Sequence, residues 1–156
     1  EADGVTTLTV SGEGEMRYGS GSESDYYNRP WGSYSEVDVL RIEEGVTSLG
    51  IGAFAESQNL IEITLPETLS DLGFATFMNC HNLQRINIPD NIKVISQMTF
   101  YRCSSLTAIE LPGELEEIYL GAFFVQIFII RSEFNSTTII FNSTNCISKV
   151  KIYICS

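Results

Sequence analysis

One histidine, one tryptophan and four cysteines in 156 residues leave few side chains from which to build a metal centre or an activated nucleophile. Zinc needs ligands converging from about four side chains. The adjacent Cys80 and His81 have no C-x₂-C or second His near them to complete a set. Cations are scarce as well: nine Lys and Arg stand against twenty Asp and Glu, for a formal charge of −11. Binding to nucleic acid, or to an anionic membrane surface, needs a basic face, so neither partner is predicted. No run of 18 apolar residues occurs, and the stretch FFVQIFII (123–130) is short and interrupted by Gln126, so no membrane insertion is predicted. G-x-S-x-G and a phosphate-cradling P-loop are both missing, and the acidic residues fall at surface columns rather than as a paired acid and base. No catalytic residue, metal or cofactor is therefore predicted.

What the chain does have is a 44% hydrophobic content and a length suited to one folded domain. It also repeats itself. Shifted by 23 residues, SEVDVLRIEEGVTSLGIGAFAES (35–57) aligns with QNLIEITLPETLSDLGFATFMNC (58–80), HNLQRINIPDNIKVISQMTFYRC (81–103) and SSLTAIELPGELEEIYLGAFFVQ (104–126). Six columns are apolar in all four frames, among them Leu40/Ile63/Ile86/Ile109 and Phe54/Phe77/Phe100/Phe123. L-x-x-I-x-L places its last two apolar residues on one face of a strand, because strand side chains alternate. A period in the twenties makes each frame one coil of a solenoid, with successive strands stacked into a parallel sheet. Pro66, Pro89 and Pro112 follow the strand, where a missing N–H ends the ladder and turns the coil.

The pattern resembles the treponemal, or BspA-like, class of leucine-rich repeat, whose motif is L-x-x-I-x-L-P-x-x-L-x-x-I-G-x-x-A-F-x-x-C. Residues 60–80, 83–103 and 106–126 match it closely, and 37–57 match without the proline and cysteine. The fold predicted is a mainly β or α/β solenoid, a right-handed leucine-rich repeat coil with one parallel sheet. Its single domain (1–156) comprises an N-terminal cap (1–34), four repeats (35–126) and an irregular C-terminal cap (127–156). In the first cap, TTLTVSGEGEM reads as strand, turn and return, with Trp31 over the open end of the core. In the last, Ile139 and Phe141 sit in strand columns, and KVKIYIC alternates as a closing strand.

Cys80 and Cys103 share a column with Ser57 and Gln126, a rung of packed residues, so both are read as buried thiols, with a Cys80–Cys103 disulfide as the alternative. Cys146 and Cys155 flank a strand pair and are either bridged or free. Glu43-Glu44 and Glu116-Glu117 read as a solvated acidic face, with calcium as the competing account.

Function is left to the outward positions of the strands. They form two columns, Val39/Glu62/Arg85/Ala108 and Arg41/Thr64/Asn87/Glu110. From these, Arg41, Glu62, Thr64, Arg85, Asn87 and Glu110 are taken as a candidate ligand-binding face, with Glu62 and Arg85 as a cross-strand charge pair. Tyr101, Tyr119 and Phe124 are candidate aromatic contacts beside it. The family resemblance implies a bacterial cell-surface or secreted protein-binding module, adhesin-like, contacting host matrix or other cell-surface proteins. A structural spacer in a surface array and a carbohydrate-binding module are the alternatives. Glu1 in place of an initiating Met fits an exported protein whose signal or anchor lies outside this chain.

Overall fold

The repeat's L-x-x-I-x-L segments become short strands, and the turn leucines ahead of them, Leu60, Leu83 and Leu106, are buried. The computed structural model describes residues 4–16, 34–119, 121–123, 128–132, 139–141 and 149–151. The first side of each coil carries β1 (Thr7–Val10), β3 (Val39–Ile42), β5 (Glu62–Thr64), β7 (Arg85–Ile86), β9 (Ala108–Leu111) and β11 (Phe128–Ser132). A second side carries β2 (Gly14–Met16), β4 (Val46–Leu49), β6 (Asp71–Leu72), β8 (Val94–Ile95) and β10 (Glu117–Tyr119). Two further strands, β12 (Ile139–Phe141) and β13 (Lys149–Lys151), close the series. The described residues contain no helix, so the mainly β form of the predicted solenoid is the one adopted.

Register follows the 23-residue shift: Leu40 pairs with Ile63 and Ile63 with Ile86, all parallel. The third side has no strands and is held by turns. Phe54 N–H donates to Thr76 O (2.9 Å), Phe77 N–H to Thr99 O (3.0 Å) and Phe100 N–H to Ala122 O (2.8 Å). The first three turns each pass twice through the left-handed region, and the fourth makes its first pass among the described residues. The first pass falls at Gly52, Ala75, Met98 and Gly121, and the second at Glu56, Asn79 and Arg102, all with φ between 55° and 69°. Only two of these seven positions are glycine, so tertiary packing holds the others in a conformation that L-residues disfavour.

Inside, the six apolar columns are buried at every position except Ile86, which is half-buried. The phenylalanine column forms a continuous stack, with ring centroids 6.1, 5.7 and 5.3 Å apart from Phe54 through Phe77 and Phe100 to Phe123. Tyr34 meets the N-terminal end of the stack at 5.5 Å from Phe54. The position was assigned to Trp31, which lies outside the described residues, as do Cys146, Cys155, Phe124 and Gln126.

Three features differ from the sequence expectation. The strand, turn and return at the N-terminus is no hairpin: β1 lies parallel on β3 and β2 parallel on β4, so the segment lays down the first rung of two sheets. Alternation identifies a strand but not its partner. At the other end β11 continues the first side, with Ile130 opposite Ile109, two residues short of the 23-residue shift. β12 and β13 then run antiparallel to β11 and β10. Finally, the predicted parallel sheet is present on the first side but interrupted. Its ladders run β1-β3-β5-β7 and then β9-β11-β12, and among the described residues none joins β7 to β9.

Asn87 accounts for the shortness of β7. Its side chain takes the place of backbone in the ladder: Leu65 N–H donates to Asn87 Oδ1 (2.8 Å), and Asn87 Nδ2 donates to Leu65 O (2.9 Å). A side-chain amide that satisfies both groups of the neighbouring strand releases its own backbone from pairing. β7 therefore ends at Ile86.

The N-terminal coil depends on one close approach. Gly45 has φ 103°, and a Cβ there would sit 2.6 Å from Gly12 O. The Gly45 carbonyl also accepts Gly14 N–H at 2.8 Å. Gly45→Ala is expected to cost about 1–2 kcal/mol, read as a lower urea midpoint with faster hydrogen exchange at the Gly14 amide.

Candidate interaction surface

Alternation brings four of the six predicted residues into register on the outward face. Arg41 stands opposite Thr64, and Glu62 opposite Arg85. Asn87 lies just past the end of β7, and the break beyond β7 separates Glu110 from that ladder. Arg85 Nε donates to Glu62 Oε2 at 3.0 Å, and its Nη2 donates to the same oxygen. With the two side chains 67% and 40% exposed, the pair is worth at most about 1 kcal/mol. Its effect is to fix both side chains in one orientation. Asn87 is spent on Leu65, as described above, which leaves Arg41, Thr64 and Glu110 as the exposed, uncommitted members.

Between the two halves of the sheet lies an open groove of about 870 Å³. Its floor is apolar, built from Ile63, Ile86, Ile88, Ile109 and Leu111. Its rim is acidic, with Glu62, Glu67, Asp90 and Glu110 against a single cation, Arg85. Glu67 and Asp90 were missed by sequence reasoning, which placed the acidic residues at surface columns and singled out only the pairs Glu43-Glu44 and Glu116-Glu117. The signal was there in the acidic run Glu44, Glu67, Asp90 at one repeat position.

Tyr101 and Tyr119 do not flank this face. Tyr101 belongs to the turns of the third side, with the Arg102 guanidinium 5.3 Å from its ring centroid, and Tyr119 ends β10 on the second side. Alternate residues on a strand share a face, but residues on the other sides of the same coil do not.

Cys80 and Cys103 are unbridged and fully buried. Each thiol donates to a carbonyl of the preceding coil, Cys80 Sγ to Phe54 O (3.2 Å) and Cys103 Sγ to Phe77 O (3.1 Å). The column thus ties coils together by hydrogen bonds as well as by packing. His81 serves as an acceptor through its backbone, taking Ser105 N–H at 3.1 Å. Glu44 spends both carboxylate oxygens on the N–H groups of Glu67 and Thr68. Among the described residues no group of three or more His, Cys, Asp or Glu is placed to hold a metal.

Burial pushes the Cys103 thiol well above its ordinary value, and the charge that an ionised Cys80 would add works in the same direction; a backbone hydrogen bond from Cys80 opposes them. The raised folded value means that the stabilisation is complete below the unfolded thiol value of 9.0 and is lost as pH rises above it. The loss has a limiting slope of about 1.4 kcal/mol per pH unit. The urea midpoint should fall between about pH 8 and about pH 10, and Cys103→Ala should make that fall shallower.

The BspA type leucine rich repeat region family matches residues 33–152 in six copies, where the 23-residue frame counts four. A leucine-rich repeat protein from Bacteroides ovatus ATCC 8483 is 31% identical, with a TM-score of 0.56 over 60% of this chain and 29% of its own. A second, from Eubacterium ventriosum ATCC 27560, is 20% identical with a TM-score of 0.56, over 80% of this chain and 39% of its own, and shows the fold alone. The chain therefore spans well under half the length of these solved structures. No curated protein matches it.

Proposed function

Because this chain belongs to the BspA-type leucine-rich repeat family, we propose that it is the interaction module of an exported or surface-displayed bacterial protein. In this reading it acts as an adhesin-like surface that contacts host matrix or cell-surface proteins, with no chemistry of its own. The observation that carries the reading is the outward face of β3, β5 and β7 with the groove beyond it. There, exposed polar side chains project in register from a rigid ladder above an apolar floor. Solenoids offer such extended surfaces for binding, and side chains fixed beforehand lose less entropy when a partner arrives.

The test is surface plasmon resonance against a panel of purified matrix proteins, run with a glycan array. Arg41→Glu combined with Thr64→Arg should weaken binding of a matrix ligand at least about tenfold. Glu56→Arg, on the third side, should leave it unchanged. No binding by the folded chain, or binding indifferent to the face variant, would overturn the proposal. Binding confined to glycans would support the carbohydrate reading instead.

A further inference from the structure

Along the first side, the coils are joined by a repeated backbone bond: Val39 N–H to Thr6 O, Glu62 N–H to Asp38 O, Arg85 N–H to Ile61 O. The next in the series, from Ala108 to Gln84, is not formed. The coils are joined on either side of that point, by Ser105 N–H to His81 O (3.1 Å) and by Glu116 N–H to Lys93 O (2.8 Å). The stack is therefore intact, and it opens only between residues 84–90 and 108–113. Ile86 records the opening: Leu40, Ile63 and Ile109 of its column are 0–3% exposed, while Ile86 is half-buried.

We propose that this groove is a docking site for an extended, lysine- or arginine-rich segment of a partner protein. The segment lies along the gap with its backbone on the open strand edges. Three observations fix that chemistry, and the inference rests on the interaction role proposed above.

The first is the pair of edges. Among the described residues β7 is bonded only to β5, and β9 only to β11. An open edge is a template for another strand, and main-chain hydrogen bonds to it supply affinity without requiring a particular sequence. The second is the floor. The half-buried Ile86, with the buried Ile63, Ile88, Ile109 and Leu111 beneath it, meets the alternate apolar side chains of an extended segment, while the segment's other side chains face outward. The third is charge. Glu67, Asp90 and Glu110 border the groove, and its one cation, Arg85, is already bonded to Glu62. On a chain of net charge −11, that rim attracts cations and repels acidic segments. The groove lining includes no aromatic ring, so it offers no stacking platform for a sugar.

The test uses a fluorescent heptapeptide alternating valine and lysine, titrated into the whole chain by anisotropy. It is compared with a glutamate-for-lysine peptide and with a peptide N-methylated at alternate amides. The lysine peptide should bind, and the glutamate peptide should not. The double variant Asp90→Lys with Glu110→Lys should weaken binding at least about tenfold, and added salt should weaken it further. Both side chains are exposed, so the thermal midpoint of the variant should stay close to that of the parent. N-methylation should also weaken binding, and the Ile86 and Ala108 amides should become protected from hydrogen exchange in the complex.

Absence of binding overturns the inference. So does binding that ignores N-methylation and leaves those amides unprotected, because the attraction would then be charge alone. The matrix panel separates the two proposals. A matrix ligand that binds and is lost in the Arg41/Thr64 variant, alongside a silent lysine peptide, removes the groove and keeps the interaction role. Silence in both assays removes both.

Discussion

Phe77→Ala is expected to cost about 3–5 kcal/mol of unfolding free energy, the largest single loss of any substitution considered for this chain. Phe77 is fully buried and stacks on both sides, 6.1 Å from Phe54 and 5.7 Å from Phe100, with interplanar angles of 15° and 17°. The void cannot collapse, because the turns around it are clamped by the bonds from Phe54 N–H to Thr76 O and from Phe77 N–H to Thr99 O. Stacked coils are stabilised largely by their interfaces, and this substitution weakens two at once. Phe123→Ala, at an 8% exposed position, should cost less, about 2–3 kcal/mol. Urea unfolding followed by circular dichroism tests the difference, and a reduced m-value for Phe77→Ala would show the array uncoupling at that coil. A cost under about 1 kcal/mol for Phe77→Ala would mean that the ring stack is not what joins the coils.

The parts of this architecture that repeat were the legible parts. A solenoid places the same demand on every twenty-third residue, so Leu60, Leu83 and Leu106, or the four stacked phenylalanines, announce themselves by spacing alone. The second side was harder. In VTSL, LSDL, IKVI and LEEI the two apolar columns are three apart, which is not strand alternation, and β4 buries Val46, Ser48 and Leu49 together. Its polar member is accommodated by Ser48 Oγ donating to Asp71 Oδ2 (3.0 Å) on the next coil. The left-handed turn positions were invisible for a different reason. Ala75, Met98, Glu56 and Arg102 carry no glycine signal, because the packed coil imposes the conformation instead of the residue choosing it. In the candidate site the outward columns could be read from alternation. The end of β7 could not, because it depends on one side chain, Asn87, finding backbone partners on the preceding coil. Nothing periodic encodes that event.

That dependence makes Asn87→Asp the second substitution with a large expected effect. The change is nearly isosteric and keeps the acceptor for Leu65 N–H, but it puts a carboxylate oxygen 2.9 Å from Leu65 O, where Nδ2 now donates. A part-buried acceptor loses its donor and gains a repulsive neighbour, at about 1–2 kcal/mol at neutral pH. Protonation restores an O–H donor, so the fold favours the neutral acid and raises its pKa above the ordinary aspartate value of about 3.9. The sign follows. The variant should approach the parent's stability at low pH and lose ground as pH rises through the raised value. Urea midpoints of the two proteins measured from about pH 3 to about pH 8 would show the gap opening, and a pH-independent gap would mean that the Asn87 amide does not bridge the coils. Asn87→Val probes the other consequence of the same bond. With no amide to stand in for backbone, residue 87 can pair with Thr64 as Thr64 pairs with Arg41, extending β7 along β5. A ladder bond from Leu65 N–H to the carbonyl of residue 87 should then protect the Leu65 amide from hydrogen exchange as the side-chain amide now does, and faster exchange would mean that the backbone does not take over.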